Sequence, residues 1–141
     1  MAIIYSRAAE YAIRALTRLS REGGDAPTPV HRIAEAEGLP APFLAKIVQD
    51  LARAGIIHSL RGRKGGIRLL RPPSQITLAE IVDAVDGLDT YEQCAVGMAV
   101  CRDDTPCPIH DRWKPLRQRI VSYLHGQTLA RMARAVEQKL G

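Results

Sequence analysis

Aromatic side chains are nearly absent from this 141-residue chain, in which one Phe, one Trp and four Tyr make up 4% of the residues. The core must then be filled with Leu, Ile, Val and Ala, and together with 11 Gly and 9 Pro this reads as helices punctuated by turns. Missing too is any apolar run near the roughly 18 residues that a membrane span requires. The amino terminus lacks the basic start and apolar stretch of a secretory signal, so a cytoplasmic protein with no membrane partner is expected. Cysteine is scarce, and its three copies form an odd set confined to residues 94–107. A disulfide framework would leave one thiol over; clustered thiols point first to metal or redox chemistry. The length excludes a large two-domain enzyme, and 46% hydrophobic with 25% charged residues speaks against wholesale disorder. There is no internal repeat and no low-complexity tract.

Charge is unevenly spread. Residues 1–71 hold twelve Lys and Arg against six Asp and Glu, residues 72–111 one against eight, and residues 112–141 seven against one. The basic amino-terminal half suits a polyanion, whereas the acidic middle argues against nucleic acid on every side.

Ala8, Tyr11, Ala12, Ala15, Leu16 and Leu19 recur at three- or four-residue spacings and predict a helix over 6–22, stopped by Gly23-Gly24. Pro27, Thr28 and Pro29 read as a turn before a short helix, Val30 to Glu37, closed by Gly38. Pro40 and Pro42 fit only in a first turn, which starts a third helix over about 41–54 with Phe43, Leu44, Ile47, Val48 and Leu51 as its apolar stripe. Two short helices about a Gly-containing turn are a helix-turn-helix pattern, whose second helix enters the major groove. Two apolar strand candidates follow, Ile56-Ile57 to Leu60 and Ile67 to Leu70, joined by Arg61-Gly62-Arg63-Lys64-Gly65-Gly66. A basic hairpin directly after a helix-turn-helix is a wing, offering charge to phosphates. The glycines lack the Lys-Ser/Thr ending of a P-loop and are followed by a strand, so no nucleotide cradle is expected.

After Pro72-Pro73, Thr77 and Glu80 form a capping-box pattern before the apolar face Leu78, Ile81, Val82, Val85. Residues 88–107 lack periodicity. From about 108 a longer helix carries Ile109, Trp113, Leu116, Ile120, Val121 and Leu124, with Pro115 marking a kink or a delayed start, and Thr128 caps a last helix. An apolar helix outside so small a core needs a cover, for which a second copy of the chain is expected. The cysteines follow Cys94-x6-Cys101-x5-Cys107, with His110 three residues on. Thiolates and imidazole suit zinc or an iron-sulfur cluster, and the wide intervals fit a long loop around a cluster better than a zinc knuckle.

The segments Ser6-Arg7-Ala8-Ala9-Glu10-Tyr11-Ala12, Leu51 to Ile57 leading into Ser59-Leu60-Arg61-Gly62, the Gly65-Gly66 wing, Ile81-Val82-Asp83-Ala84-Val85-Asp86-Gly87 and the three spaced cysteines resemble the winged-helix iron-sulfur transcription regulators of the IscR, NsrR and RirA type. The likeness covers almost the whole chain. It implies a homodimer with crossed long helices, each cysteine loop near the partner's first helix, and Cys94, Cys101 and Cys107 as three cluster ligands. His110 falls at the histidine that completes a 2Fe-2S cluster in the assembly regulators. Glu10 matches the carboxylate that completes a 4Fe-4S cluster from the other subunit in the nitric-oxide sensors. Proximity in sequence favours His110 and 2Fe-2S; on its own, Glu10 also reads as a surface acid pairing with Arg14. The first cysteine interval holds six residues, where the assembly regulators and nitric-oxide sensors have five.

For DNA, the resemblance places Pro40, Pro42, Phe43, Ala45 and Lys46 at the groove and Arg61 at a wing arginine that enters the minor groove. Lys46, Arg53, Arg63 and Lys64 suit phosphate contacts. Ala45 stands where the assembly regulators carry an acid, and Pro40 and Pro42 replace hydroxyl residues, which implies a different operator. The expected fold is mainly α: a winged helix-turn-helix with a two-stranded β wing over 1–73, then a cysteine-bearing loop and a long C-terminal dimerisation helix over 74–141. The expected function is an iron-sulfur-dependent DNA-binding regulator, in simplest form a repressor, sensing iron-sulfur status, redox state or nitric oxide, and no enzyme. Two other readings are a cysteine-based redox enzyme, for which a close dithiol and an acid-base constellation are lacking, and a DNA-binding protein with a structural zinc.

Overall fold

Ser6 starts the first helix: its hydroxyl accepts a hydrogen bond from the Ala9 amide at 3.0 Å and caps α1 (Arg7–Glu22). The computed structural model describes residues 4–92 and 109–140, without the side chains of Thr90 and His110, so Cys94, Cys101 and Cys107 lie outside the described residues. α1 buries Ala12, Ala15, Leu16 and Leu19 of the predicted stripe, but Ala8 and Tyr11 are only half-buried, and Ala9 and Ile13 turn inward in their place because α1 is packed from several sides. α2 (Val30–Glu37) ends at Gly38, whose φ of 68° lets the Leu39 amide reach back to the Ala34 carbonyl at 2.8 Å. α3 (Ala41–Arg53) begins with Pro40 as N-cap and Pro42 as its second residue, where a missing N–H costs nothing, and buries Leu44, Ile47, Val48 and Leu51.

The wing is the antiparallel pair β1 (Ile57–Leu60) and β2 (Gly66–Leu69), with Ile57 opposite Leu69 and Leu60 opposite Gly66. Thr28 corrects the expected turn at 27–29. It lies extended beside β2 and exchanges two hydrogen bonds with Ile67, Thr28 N to Ile67 O at 2.9 Å and Ile67 N to Thr28 O at 2.8 Å. The outer edge of β2 would otherwise leave those groups without a partner. Ile56, Ile57 and Ile67 are buried, whereas Leu60 and Leu70 are 42% and 46% exposed, so the apolar run overstates the wing's share of the core.

α4 (Leu78–Val85) is capped by Thr77, whose hydroxyl accepts from the Glu80 amide at 3.2 Å. The reciprocal half of the expected capping box is absent, because the Glu80 carboxylate pairs with Arg71 instead. α5 (His110–Gly126) includes Pro115 within its span and is followed by α6 (Leu129–Leu140), capped by Thr128 as the sequence predicts. Reciprocal bonds, Leu78 N to Gln127 O and Leu129 N to Ile76 O, both 2.9 Å, tie the start of α4 to that of α6. One hydrophobic cluster runs from Ala9 through Leu44, Ile57 and Ile81 to Leu124 and Leu129. Among the described residues its one buried polar side chain, Thr17, is satisfied by donating to the Ile13 carbonyl at 2.7 Å.

A latch holds the N-terminal segment. Ser6 donates from its amide to Asp86 at 2.9 Å and from its hydroxyl to the same carboxylate, and the Tyr91 hydroxyl donates to the Ile4 carbonyl. Burial, then the nearby charge of Glu10 and the neighbouring Tyr123, push the Tyr5 hydroxyl above its ordinary value of 10.0; burial, then Asp86 and Tyr5, do the same at Tyr91.

Two predictions follow from this packing. A Cβ on Gly66, whose φ is 147°, would lie 2.2 Å from the Thr28 carbonyl oxygen, so Gly66→Ala should cost about 2–4 kcal/mol in urea unfolding, the strained dihedral adding to the overlap. Equal midpoints would show that Thr28 does not close on the wing. Below the unfolded-state tyrosine value both states keep their phenolic protons; above it the unfolded chain ionises first, so stability falls as pH rises through the raised folded values. Chemical denaturation from about pH 9 to about pH 11 should show a shallower loss for Tyr5→Phe and Tyr91→Phe than for wild type, and parallel curves would contradict it.

Candidate nucleic-acid interface

The solvent face of α3 follows from its burial. With Leu44, Ile47, Val48 and Leu51 turned inward, Pro42, Lys46, Gln49 and Arg53 recur at three- and four-residue steps on the exposed side. Lys46 makes no ion pair among the described residues, and Arg53, 77% exposed, reaches Asp50 at 3.4 Å, a contact too wet to hold it. Pro40 is exposed at the N-cap. Gln49, absent from the expected contacts, sits between Lys46 and Arg53, and its amide can both donate and accept toward a base edge. The same helical spacing that picks out Lys46 points to it.

Phe43 has a second allegiance. It is 42% exposed, but its ring meets Tyr11 of α1 edge to face, with centroids 5.6 Å apart and planes at 86°. No short-range sequence pattern links these two residues.

At the wing tip Arg61, Arg63 and Lys64 are all exposed. Gly62, with φ at 101°, turns the chain, and the Gly65 amide donates to the Gly62 carbonyl at 3.0 Å. A Cβ at Gly65 would stand 2.3 Å from the Leu60 carbonyl oxygen, so the tip requires glycine there. Residues 51–79 contain six Lys and Arg and no Asp or Glu. Of these, Arg71 is engaged: its hydrogen bond to Glu80 holds its pKa above the ordinary value, against a smaller opposing effect of burial. α3 packs against β1, so the exposed helix face and the cationic tip belong to one rigid unit.

The residues proposed as ligands fare differently. Glu10 is half-buried in α1 and makes no ion pair among the described residues. The expected Glu10–Arg14 pair does not form, because Arg14 turns to Glu37 of α2, with Nε 3.4 Å from the carboxylate and a further bond to the Glu37 carbonyl. Arg18 joins the same carboxylate at 2.5 Å and also binds Glu22; the Glu37 bond is the main cause of its raised pKa. His110 is the first residue of α5, and the three cysteines lie outside the described residues. No group of three or more metal-ligating side chains occurs among the described residues. No helix among them is long and apolar enough to cross a membrane.

The family model described as "Rrf2: Iron-dependent Transcriptional regulator" matches residues 5–135. An HTH-type protein of Aquifex aeolicus is 31% identical over 140 residues, 98% of this chain and 96% of its own. The HTH-type transcriptional regulator IscR of Aliivibrio salmonicida is 31% identical over 122 residues, 86% of this chain and 72% of its own. Among solved structures, T. potens IscR superposes with a TM-score of 0.76 at 25% identity, over 99% of this chain and 90% of that one. The oxidized form of Staphylococcus aureus CymR superposes with a TM-score of 0.73 at 26% identity, over 94% and 96%. With a winged helix whose exposed helix face and basic hairpin lie on one unit, the chain belongs to the Rrf2 family and is a DNA-binding transcriptional regulator of the Rrf2/IscR superfamily, not an enzyme.

Proposed function

We propose that this protein is a homodimeric repressor that occupies a DNA operator and whose affinity for it depends on an iron-sulfur cluster, reporting iron-sulfur status, redox state or nitric oxide. The observation that carries the DNA part is the pairing of an exposed α3 face with an acid-free wing ending in Arg61, Arg63 and Lys64. In this reading residues 1–73 bind DNA and residues 74–141 hold the cluster and the dimer contact. Pro40, Pro42, Phe43, Lys46 and Gln49 bring α3 to the major groove, Arg61 enters the minor groove, and Arg53, Arg63 and Lys64 bind phosphates.

Dimerisation is supported by α5. Ile109, Leu116 and Tyr123 recur every seven residues and are 42%, 51% and 53% exposed, a stripe that a second copy of the same helix would cover. Two such copies would present two reading heads to paired half-sites.

The donor set fits a cluster. Cys94, Cys101 and Cys107 offer three thiolates within 14 residues, and His110, at the start of α5, offers an imidazole. The alternative fourth ligand is the partner's Glu10, supported by the lack of any ion pair at that carboxylate among the described residues. His110 with 2Fe-2S is favoured over Glu10 with 4Fe-4S because the imidazole lies three residues from the last thiol. When bound, a cluster supplies a centre sensitive to oxidation and nitric oxide. Linkage then requires the loaded and empty chains to hold α3 and the wing differently.

Anaerobic purification followed by absorption spectroscopy and iron and sulfide analysis should find both elements, lost on replacing any of the three cysteines with Ala. Zinc without iron or sulfide would replace this reading with a structural site. On DNA, Lys64→Ala should weaken binding to all sequences alike and reduce the salt slope by about 1, whereas Gln49→Ala should relax preference at one base pair by about 1–3 kcal/mol. An unchanged salt slope would remove the wing from the interface.

A further inference from the structure

We propose that the N-terminal segment from Ile4 to Tyr11 is the relay between the cysteine-bearing half and the reading helix, with Tyr11 and Phe43 as positioning residues; this rests on the sensing function proposed above. Three observations converge on the segment. At one end it is latched to the chain just ahead of the first cysteine: Asp86 accepts both the amide and the hydroxyl of Ser6, and the Tyr91 hydroxyl donates to the Ile4 carbonyl. These bonds join positions 80 and 87 residues apart, so they fix the start of α1 to the end of α4 and the turn beyond it. In the middle Ser6 is also the N-cap of α1, so a pull on Asp86 acts on the helix itself and not on a loose tail. At the far end Tyr11, one turn along α1, meets Phe43 in the first turn of α3 edge to face at 5.6 Å.

The energetics favour transmission. α1 is a rigid helix whose alanine-lined face is fully buried, so a displacement at Ser6 moves Tyr11 with it. The end of α3 that carries Phe43 is the end with the exposed Pro42, Ala45 and Lys46, and a small rotation there shifts all of them against a groove. The Tyr11–Phe43 contact lies at the surface, with Phe43 42% exposed and Tyr11 half-buried, so the two rings can shift against each other without opening the core. Phe43 therefore acts on DNA chiefly through where it holds α3.

The test uses the full-length protein, prepared anaerobically in cluster-loaded form and stripped to apo form, and a duplex selected by the wild type from a random pool. Fluorescence anisotropy gives the ratio of dissociation constants for the two forms. Tyr11→Leu and Phe43→Leu should each bring that ratio about two- to tenfold closer to one, the double variant no further, because the two rings act as one contact. Tyr11→Phe keeps the ring and should keep the wild-type ratio. Tyr91→Phe removes a single hydroxyl at the opposite end and should also lower the ratio, which keeps the proposal testable if a Leu variant fails to fold. A wild-type ratio of one overturns the sensing reading itself. A wild-type ratio away from one that persists in Tyr11→Leu, Phe43→Leu and Tyr91→Phe overturns the relay alone, as does loss of affinity by the same factor in both forms.

Discussion

Everything in this fold leans on the close approach that the small residues of α1 permit. Ala9, Ala12 and Ala15 are at most 1% exposed, and they lie on the helix that touches α2, α3, α4 and α6. A larger side chain at any of them would push a neighbour outward, since a packed interior has no room to absorb an extra methylene group cheaply. Because α1 is shared, the helix-turn-helix, the wing and the C-terminal helices are not separate bodies hung on a linker. They are one cluster of aliphatic side chains, consistent with a chain too poor in aromatics to build a core any other way.

That shared helix also sorts the charges. Arg14 and Arg18 on α1 are drawn to Glu37 of α2 and Arg71 is drawn to Glu80 of α4, so these cations are engaged in holding elements together. Among the described residues the cations of α3 and the wing tip have no comparable carboxylate within reach, apart from the exposed Arg53–Asp50 contact. A net charge of +5 says little by itself; its separation into engaged and unengaged arginines and lysines leaves a positive surface where α3 and the hairpin emerge. Of the acids in residues 83–92, Asp86 accepts from Ser6 in the latch and Asp83 accepts from the Leu88 amide.

Local elements were legible because their causes are local. The helix stripes, the Gly38 turn, the proline start of α3, the glycine wing and the Thr77 and Thr128 caps each depend on residues within a few positions of one another. Where the expectation and the structure part, a long-range partner intervened. Glu80 gave up its capping role to an arginine nine residues back, Arg14 chose Glu37 over Glu10, and Thr28 paired with a strand nearly forty residues later. Gln49 was passed over for a different reason: helical spacing places it on the wet face with Lys46 and Arg53, but a choice of contacts by positive charge leaves out an uncharged amide.

The amino-acid sequence by itself determined the order of elements, the basic hairpin after the helix-turn-helix and the gathering of three cysteines within residues 94–107, since composition and spacing act through neighbouring residues. Only the tertiary structure decided which arginines are engaged, that Phe43 faces Tyr11, and that Asp86 and Tyr91 grip the start of α1. Those choices are settled by which surfaces meet when a single aliphatic core closes, and a contact across eighty residues leaves no periodicity behind it.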